Sequence, residues 1–424
     1  MTSPTQQEAQ KIINPLRSGT VPSQGLQHYA VGLDREISVL RDELKEVKNG
    51  TSHIKGIRAP YGGGKTFITS RLAEDALEAG FVISQVTLNR EAAPLHQLEK
   101  VYNRIMTGLQ VRGVEGGALS YLLDRWLDKA EEYAIDVRGV SEDDEPALRE
   151  AVRERVRDLL GEFAKERPAF AGALNAYYEA HIDRDYGRKQ QIIGWLSADS
   201  NVSAQGIRGI RGRVERKDVV AYLRAFIGMV RHLGYSGLVI ILDEVDDMRK
   251  LKRNHRETAW SNLRDIIDQI GSGIPGFYLV LAGTPEVFDS NAGFRQLIPL
   301  YQRFEDPTIE TERPNLRGPQ LPLPRFDKKQ LTEVMQKLKT IWEIAYDTPS
   351  RIDDDFAPYL AEGWTKQLGD KSPRIAIREF ISILDRARDY PEYDPYAEYH
   401  FNLGEAELND EEMPSSVLTD DNTF

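Results

Sequence analysis

Short apolar runs mark the predicted strands of this chain. Residues 238–242 and 277–282 are continuously apolar, as in parallel strands that are buried on both faces of a sheet. The other elements predicted from apolar spacing are strands over 53–59 and 81–88 and helices over 34–48, 67–79 and 262–270. Strands that alternate with helices indicate an α/β domain with a parallel sheet.

Outside this sheet the pattern divides the chain into further parts. Residues from about 95 to 230 are mostly helical in pattern and lie between two predicted strands, so they are an insertion. The proline-rich residues 307–324 predict a linker, and amphipathic helices follow over 328–346 and 374–388. The predicted division is an extended lead-in over 1–25, a nucleotide-binding domain over 26–313, a C-terminal domain over 314–400 and an acidic tail over 401–424.

Composition limits the classes of function. The formal net charge of −12 argues against a protein that coats DNA by itself, although a local basic surface is compatible with it. There is no cysteine, and the seven histidines lack paired ligand spacing, so a thiolate or histidine metal site is not expected. No apolar run is long enough for a membrane span, and no export signal is visible at the N-terminus, so a cytoplasmic protein without a membrane partner is predicted.

A glycine-rich loop is the first candidate for chemistry. Ala59-Pro60-Tyr61-Gly62-Gly63-Gly64-Lys65-Thr66 lies between a predicted strand and a predicted helix, the context of a phosphate-binding P-loop. Glycines let backbone N–H groups approach phosphate oxygens; Lys65 is expected to reach the β- and γ-phosphates, and the Thr66 hydroxyl to ligate Mg²⁺. Ala59 departs from the motif, which has glycine there. The predicted ATP-binding residues of this segment are Tyr61, Gly62, Gly63, Gly64, Lys65, Thr66 and Phe67.

Polar residues follow the two buried strands. Asp243 ends the first of them and is predicted to hold Mg²⁺, while Glu244 is placed to act as the general base on an attacking water. Thr284 follows the second strand and is a candidate sensor of the γ-phosphate, or alternatively the cap of the next turn.

Three arginines are candidates to stabilise charge in the transition state. Arg303 could reach a neighbouring subunit's γ-phosphate as an arginine finger, with Arg295 as the weaker alternative. Arg374 opens a helix of the C-terminal domain and could close over the nucleotide. Each could instead be an ordinary solvated or ion-paired surface side chain.

These motifs resemble those of the AAA+ class of P-loop ATPases, close to the initiator (origin-recognition) branch. The resemblance rests on the P-loop, on Leu242-Asp243-Glu244-Val245-Asp246-Asp247, on Thr284 and on Ser372-Pro373-Arg374. More narrowly, residues 16–22, 31–36 and 53–55 look like those of BrxD-like ATP-binding proteins of bacterial BREX-type phage-defence loci.

The resemblance implies more than the residues alone. It implies an AAA+ core with a helical or winged-helix lid, a bacterial cytoplasmic protein, and a helicase or other DNA-handling partner from the defence locus. It also implies that the loop at Val31 and Gly32 contacts adenine.

Two basic segments give local support for DNA as a partner. The first contains Arg249, Lys250, Lys252, Arg253, His255 and Arg256, and the second contains Arg208, Arg211, Arg213, Arg216 and Lys217. Such segments could follow a phosphate backbone or could simply be solvent-facing.

The sequence therefore predicts a Mg²⁺-dependent ATPase of the AAA+ class that forms an ATP-promoted homo-oligomer and acts with DNA or a DNA-handling partner in anti-phage defence. The alternative is a nucleotide-gated oligomerising switch with slow hydrolysis. A guanine-binding signature, a short arginine-rich kinase lid and a second helicase core are not found, which disfavours a GTPase, a small-molecule kinase and a helicase.

Overall fold

The computed structural model describes residues 3–114, 116–210, 212–271, 273–368 and 373–401. Within them the strands are β1 Ser52–Arg58, β2 Val82–Thr87, β3 Leu109–Gln110, β4 Leu238–Asp243, β5 Phe277–Gly283 and β6 Gln320–Pro322. The helices up to β4 are α1 Gln6–Arg17, α2 Asp34–Lys48, α3 Lys65–Glu78, α4 Leu98–Thr107, α5 Ala118–Asp136, α6 Glu145–Glu166, α7 Pro168–Ile182, α8 Tyr186–Leu196 and α9 Val219–His232. The later helices are α10 Arg253–Gly271, α11 Pro285–Asp289, α12 Ile298–Phe304, α13 Lys328–Tyr346, α14 Phe356–Leu368, α15 Pro373–Asp389 and α16 Pro395–Glu398.

The strands form one sheet in the order β3-β2-β4-β5-β1-β6. All neighbours are parallel except the short β3, which is antiparallel to β2. In the register, Arg58 pairs with Gly283 and Thr87 pairs with Asp243. The carboxyl ends of β1, β4 and β5 therefore meet at one edge of the sheet, where ligands of open parallel sheets bind.

Helices cover both faces of the sheet. Alternate residues of β4 point to opposite sides, so that Ile240 packs with the insertion helices and Ile241 packs with α2 and α3. This explains why β4 and β5 read as unbroken apolar runs. The predicted α/β class, with a mostly parallel sheet and a helical insertion, is confirmed by this arrangement.

The C-terminal lid has a core of its own. Helices α13, α14 and α15 pack together, and α1 from the other end of the chain completes this core with Ile12, Ile13 and Leu16. The Arg17 side chain donates two hydrogen bonds to Asp385 of α15, at 2.6 and 2.9 Å. The described part of the lid is helical.

Two expectations about organisation need correction. The lead-in was expected to be extended, but its residues 6–17 form α1, because apolar residues at helical spacing are buried against the lid. The proline-rich linker is also not wholly irregular, since Gln320–Pro322 extends the sheet beside β1 as its edge strand β6. The acidic tail lies outside the described residues from residue 402 onward.

Candidate active site

The loop between β1 and α3 has the backbone that only glycine adopts easily. Gly62 and Gly64 have φ of +71° and +86°, in the left-handed region, and Gly64 is the N-cap of α3. Glycine is favoured at position 63 for a different reason, since a Cβ there would lie 3.0 Å from the Cβ of Ala59 and from the carbonyl oxygen of Pro60, a tight contact. The loop is thus compact, and it leads directly into the N-terminus of a helix, which favours anions.

Lys65 is folded onto this loop. Its ammonium donates hydrogen bonds to the carbonyl oxygens of Ala59, at 3.1 Å, and of Pro60, at 3.0 Å, and it lies 5.4 Å from the centre of the Tyr61 ring. The side chain is buried, and its positive charge helps to lower the pKa of the nearby Asp243 against the effect of burial. Phosphate oxygens in the loop would offer this ammonium a stronger, charged acceptor.

Thr66 and Asp243 meet across the edge of the sheet. The Thr66 hydroxyl donates to Asp243 Oδ2 at 3.2 Å, although the two residues are far apart in sequence. Burial raises the pKa of Asp243, and the Glu244 N–H, which donates to Asp243 Oδ1 at 2.8 Å, opposes that rise. A hydroxyl and a carboxylate side by side suit Mg²⁺, because that ion prefers oxygen ligands.

The donor set fits Mg²⁺ rather than a metal held by protein alone. Among the described residues there is no group of three or more His, Asp or Glu side chains that could enclose a metal ion. Mg²⁺ in nucleotide sites takes one or two protein ligands and completes its shell with phosphate oxygens and water. Thr66 and Asp243 could supply those protein ligands.

Glu244 has an unusual backbone beside this pair. Its φ of +54° and ψ of +41° are left-handed, which costs a residue with a side chain about 1 kcal/mol. Burial, followed by the negative charges of Asp243 and Asp247, raises the pKa of Glu244 above its ordinary value. A carboxylate with a raised pKa is a better proton acceptor, and strained residues of this kind gather at functional sites.

Thr284 lies behind Asp246, which separates it from the cavity. Its hydroxyl donates to Asp246, and its backbone N–H lies 3.2 and 3.1 Å from the two carboxylate oxygens of the same residue. Thr284 is buried and is not among the residues that line the cavity, whereas Asp246 is. The structure therefore connects Thr284 to the site through Asp246.

A cavity of about 240 Å³ joins the P-loop to the lid. The predicted residues that line it are Tyr61, Gly62, Gly64, Lys65, Thr66, Phe67, Asp243, Glu244 and Arg374. Arg374 comes from the first turn of α15, next to Ile377. The lid thus contributes a cation to the lining of this cavity.

The lead-in also lines this cavity, which the sequence did not predict. Its contribution is Leu16, Gly19, Thr20 and Val21, and Tyr29, four residues after the lead-in ends, also lines the cavity. The Tyr29 ring packs edge-on against Phe67 of α3, with ring centres 5.3 Å apart. The signal was available as the helical spacing of apolar residues in α1, which indicates a packed segment rather than an extended one.

Val31 and Gly32 occupy a different place from the one implied for an adenine contact. Val31 is buried in the lid core, and neither residue lines the cavity. Gly32 has a φ of +71°, and a Cβ on it would lie 2.0 Å from the Gln330 amide nitrogen of α13. Its left-handed backbone is what favours glycine, because the Gln330 amide is the end of a flexible side chain that could move away.

Arg303 and Arg295 do not line the cavity. Arg303 forms an ion pair with Asp268 of α10 and donates to the Pro299 carbonyl. The Arg295 guanidinium lies 5.1 Å from the centre of the Tyr301 ring. An arginine finger from either residue would have to act on another subunit and stays a prediction.

A protein family and a solved structure are similar to this chain. The model of a family described as "BREX system ATP-binding protein BrxC/D" matches residues 5–403. The solved structure of the Aeropyrum pernix ORC2 protein, in ADPNP–ADP complexes, is similar over 85% of this chain and 69% of that one, with 13% identity and a TM-score of 0.39. No curated protein matches the chain. In the described parts of the chain, no helix has the length and apolar character that a membrane span requires.

Proposed function

The chain belongs to the BREX system ATP-binding family BrxC/D, and from that premise we propose that it binds ATP with Mg²⁺ and hydrolyses it to ADP and phosphate. The observation that carries the proposal is the meeting of three groups at one cavity. These are the P-loop with Lys65, the Thr66–Asp243 pair and the strained Glu244. A site for nucleotide binding alone would not need the last of these.

Each residue has a role that follows from its chemistry. Lys65 and the loop N–H groups neutralise and orient the β- and γ-phosphates. Thr66 and Asp243 hold Mg²⁺, which supplies charge neutralisation at the phosphates. Glu244 accepts the proton of the attacking water, and Thr284 fixes Asp246 beside it.

The opposite half of the cavity is suited to the base and sugar. Leu16, Val21, Phe67 and Ile377 give it apolar walls, and Tyr29 adds a flat aromatic edge. We propose that these residues contact adenine, while Val31 and Gly32 support them from the lid core. Arg374 is expected to contact phosphate oxygens when the lid closes.

The proposal extends to partners. As a member of a BREX family, the protein is expected to act with other products of the defence locus, among them a DNA-handling enzyme, and with DNA itself. An ATP-promoted homo-oligomer would give Arg303 a neighbouring γ-phosphate to contact. We also propose that α13, α14 and α15 form the lid domain together with α1, around the core that they share, whereas residues 320–323 of the predicted C-terminal domain belong to the sheet.

Two variants test the proposal. Lys65→Ala should lose binding of a fluorescent ATP analogue in the presence of Mg²⁺. Glu244→Gln should keep that binding and lose turnover by about 10²- to 10⁴-fold, since this is the usual contribution of a general base. Glu257→Gln is the matched control, because Glu257 is an exposed glutamate paired with Arg253.

The measurement is phosphate release at saturating ATP. Wild-type turnover in Glu244→Gln would show that the base is wrongly assigned. Tight ATP binding with negligible wild-type turnover, with and without DNA, would favour the nucleotide-gated switch over the ATPase.

A further inference from the structure

The two basic segments of the chain differ in how many of their positive side chains make contacts within the protein. In the first, Arg253 lies 3.0 Å from Glu257, and Lys250 lies 3.8 Å from Asp247. Arg256 donates to Gln296 and to two backbone carbonyls, and the His255 ring stacks on His96 with centres 4.4 Å apart. Most of this segment's positive groups are therefore occupied by internal contacts.

The second segment contains a repeated Gly-Ile-Arg sequence. We name this part of the chain the Gly–Arg loop and define it as the described residues 204–210 and 212–213. Gly206 and Gly209 both have a φ of +84°, which favours glycine and turns the chain at the start of each repeat. Ile207 and Ile210 follow them and are 5% and 4% exposed. Each repeat thus points its isoleucine inward, and Arg208 is left on the surface.

The loop is held from behind by the insertion helices. A Cβ at Gly172 of α7 would lie 2.3 Å from the Gly209 carbonyl oxygen, so the two backbones are in close contact. The Trp195 indole donates to the Gly212 carbonyl at 2.9 Å, and the Gln191 amide donates to the Ser203 carbonyl at 2.8 Å. A loop fixed in this way loses little conformational freedom when a ligand binds.

The outer side of the loop is basic and concave. Arg208, Arg213 and Arg216 are exposed, and within the described residues none of the three makes a salt bridge or a side-chain hydrogen bond. The loop encloses a cavity of about 610 Å³ that Arg208 and Arg213 line. None of the residues that line it is acidic, although the chain as a whole carries a net charge of −12.

We propose that the Gly–Arg loop binds the phosphate backbone of duplex DNA. Guanidinium groups form paired hydrogen bonds with phosphate oxygens, and Arg208 and Arg213 line the same concave surface. The described residues of 203–217 expose no large apolar side chain, which a protein partner would normally cover. They also include no aromatic residue, so a stacking surface for single-stranded DNA is lacking.

This inference rests on the proposed partnership with DNA and makes it specific, but it does not depend on the nucleotide site. The test compares Arg208→Glu/Arg213→Glu with Lys252→Glu/Arg253→Glu, which changes the charge equally in the first basic segment. Binding to fluorescent duplex DNA is measured by anisotropy across a range of salt concentrations. Binding of a fluorescent ATP analogue by each variant reports on folding and on the nucleotide site.

We expect the Arg208→Glu/Arg213→Glu variant to lose duplex affinity by about tenfold or more and to keep ATP binding. Its salt slope should fall by about 1.8, because each phosphate contact contributes about 0.9. The neutral variant Arg208→Gln/Arg213→Gln should give the same change in slope, and the Lys252→Glu/Arg253→Glu control should stay close to wild type.

Several outcomes would overturn the inference. One is an equal loss of duplex affinity in the two charge-reversed variants. Others are tighter binding to single-stranded than to duplex DNA and no duplex binding by the wild-type chain. A polyglutamate peptide that competes as effectively as unlabelled duplex would also overturn it. If Lys65→Ala abolishes ATP binding while duplex binding still depends on Arg208 and Arg213, both proposals stand. If the wild-type chain binds duplex DNA but not ATP, only the proposed ATPase function is wrong.

Discussion

Replacing Thr284 by valine tests whether this residue senses the nucleotide directly or acts through Asp246. Valine has nearly the same shape as threonine but no hydroxyl. The substitution therefore removes the hydrogen bond to Asp246 and leaves the backbone N–H contacts at 3.2 and 3.1 Å. Both residues are buried, so water cannot easily replace the lost donor.

The size of the effect follows from this environment. A hydrogen bond to a charged group contributes about 1.5–3 kcal/mol, and more is lost when the acceptor stays buried without its partner. We expect Thr284→Val to lower the free energy of unfolding by about 2 kcal/mol. With a urea dependence of about 3 kcal/mol per molar, the unfolding midpoint would fall by about 0.7 M.

Urea unfolding followed by tryptophan fluorescence, together with phosphate release, gives both readouts. Thr284→Ser is the matched control: it keeps the hydroxyl and loses only one methyl group, worth about 0.8 kcal/mol. The positioning role predicts that Thr284→Val loses stability and activity together and that Thr284→Ser retains most of both. Unchanged unfolding of Thr284→Val with abolished hydrolysis would refute the reasoning, because the hydroxyl would then act on the nucleotide itself.

Three further predictions concern protonation, the lead-in and the oligomer. Burial and then neighbouring carboxylates raise the pKa of Glu244, so the rate of hydrolysis should fall as the pH drops through that raised pKa. Asp247→Asn removes one of these carboxylates and should move this acid limb of the pH–rate profile to lower pH. An unmoved limb would contradict the assignment of Glu244 as the base. The same raised pKa means that the stability contributed by Glu244 is present below the pKa of the unfolded chain and is lost as the pH rises through the folded one. Ile12→Ala should cost about 2–5 kcal/mol in urea unfolding, because Ile12 is fully buried in the lid core; a loss below about 0.5 kcal/mol would show that α1 is not part of that core. Arg303→Ala should lower turnover by about 10³-fold without loss of ATP binding, and mixing it with Glu244→Gln should restore activity. Asp268→Asn, which removes the internal ion pairs of Asp268 with Arg303 and Arg264, should stay active, and no restoration on mixing would argue against a finger between subunits.

The central fold was predictable because its strands carry a strong pattern. Strands β4 and β5 are buried on both faces, and such strands have unbroken apolar sequences. Helices α2 and α13 end where amphipathic spacing and turn residues indicate. In these elements the local sequence preference and the tertiary environment agree, so either one alone identifies them.

The missed elements owe their structure to contacts that are distant in sequence. Helix α1 is short and contains Pro15, and it is stabilised by burial against α13 and α15, more than three hundred residues away. Strand β6 has three residues and includes Pro322, so it has little preference of its own and depends on pairing with β1. Such pairings cannot be identified from a local window of sequence.

The motif residues of the site were predictable for the same reason as the central strands, because their local sequence pattern is strong. Its motif residues follow strands of known direction, so the contact between Thr66 and Asp243 could be expected from topology alone. The walls contributed by Leu16, Val21 and Tyr29 could not, because their place depends on how the lead-in packs between α3 and the lid.

This packing gives the lid a physical connection to the nucleotide. The lead-in lines the cavity and is fixed to α15 by the ion pair of Arg17 with Asp385, while Arg374 of the same helix lines the cavity directly. A nucleotide that contacts both would therefore favour the arrangement in which α1 and α15 close over the P-loop, because it binds that arrangement more tightly. If closure is transmitted in this way, Asp385→Asn should weaken ATP binding although Asp385 does not line the cavity, and Asp389→Asn, at the exposed end of the same helix, should not.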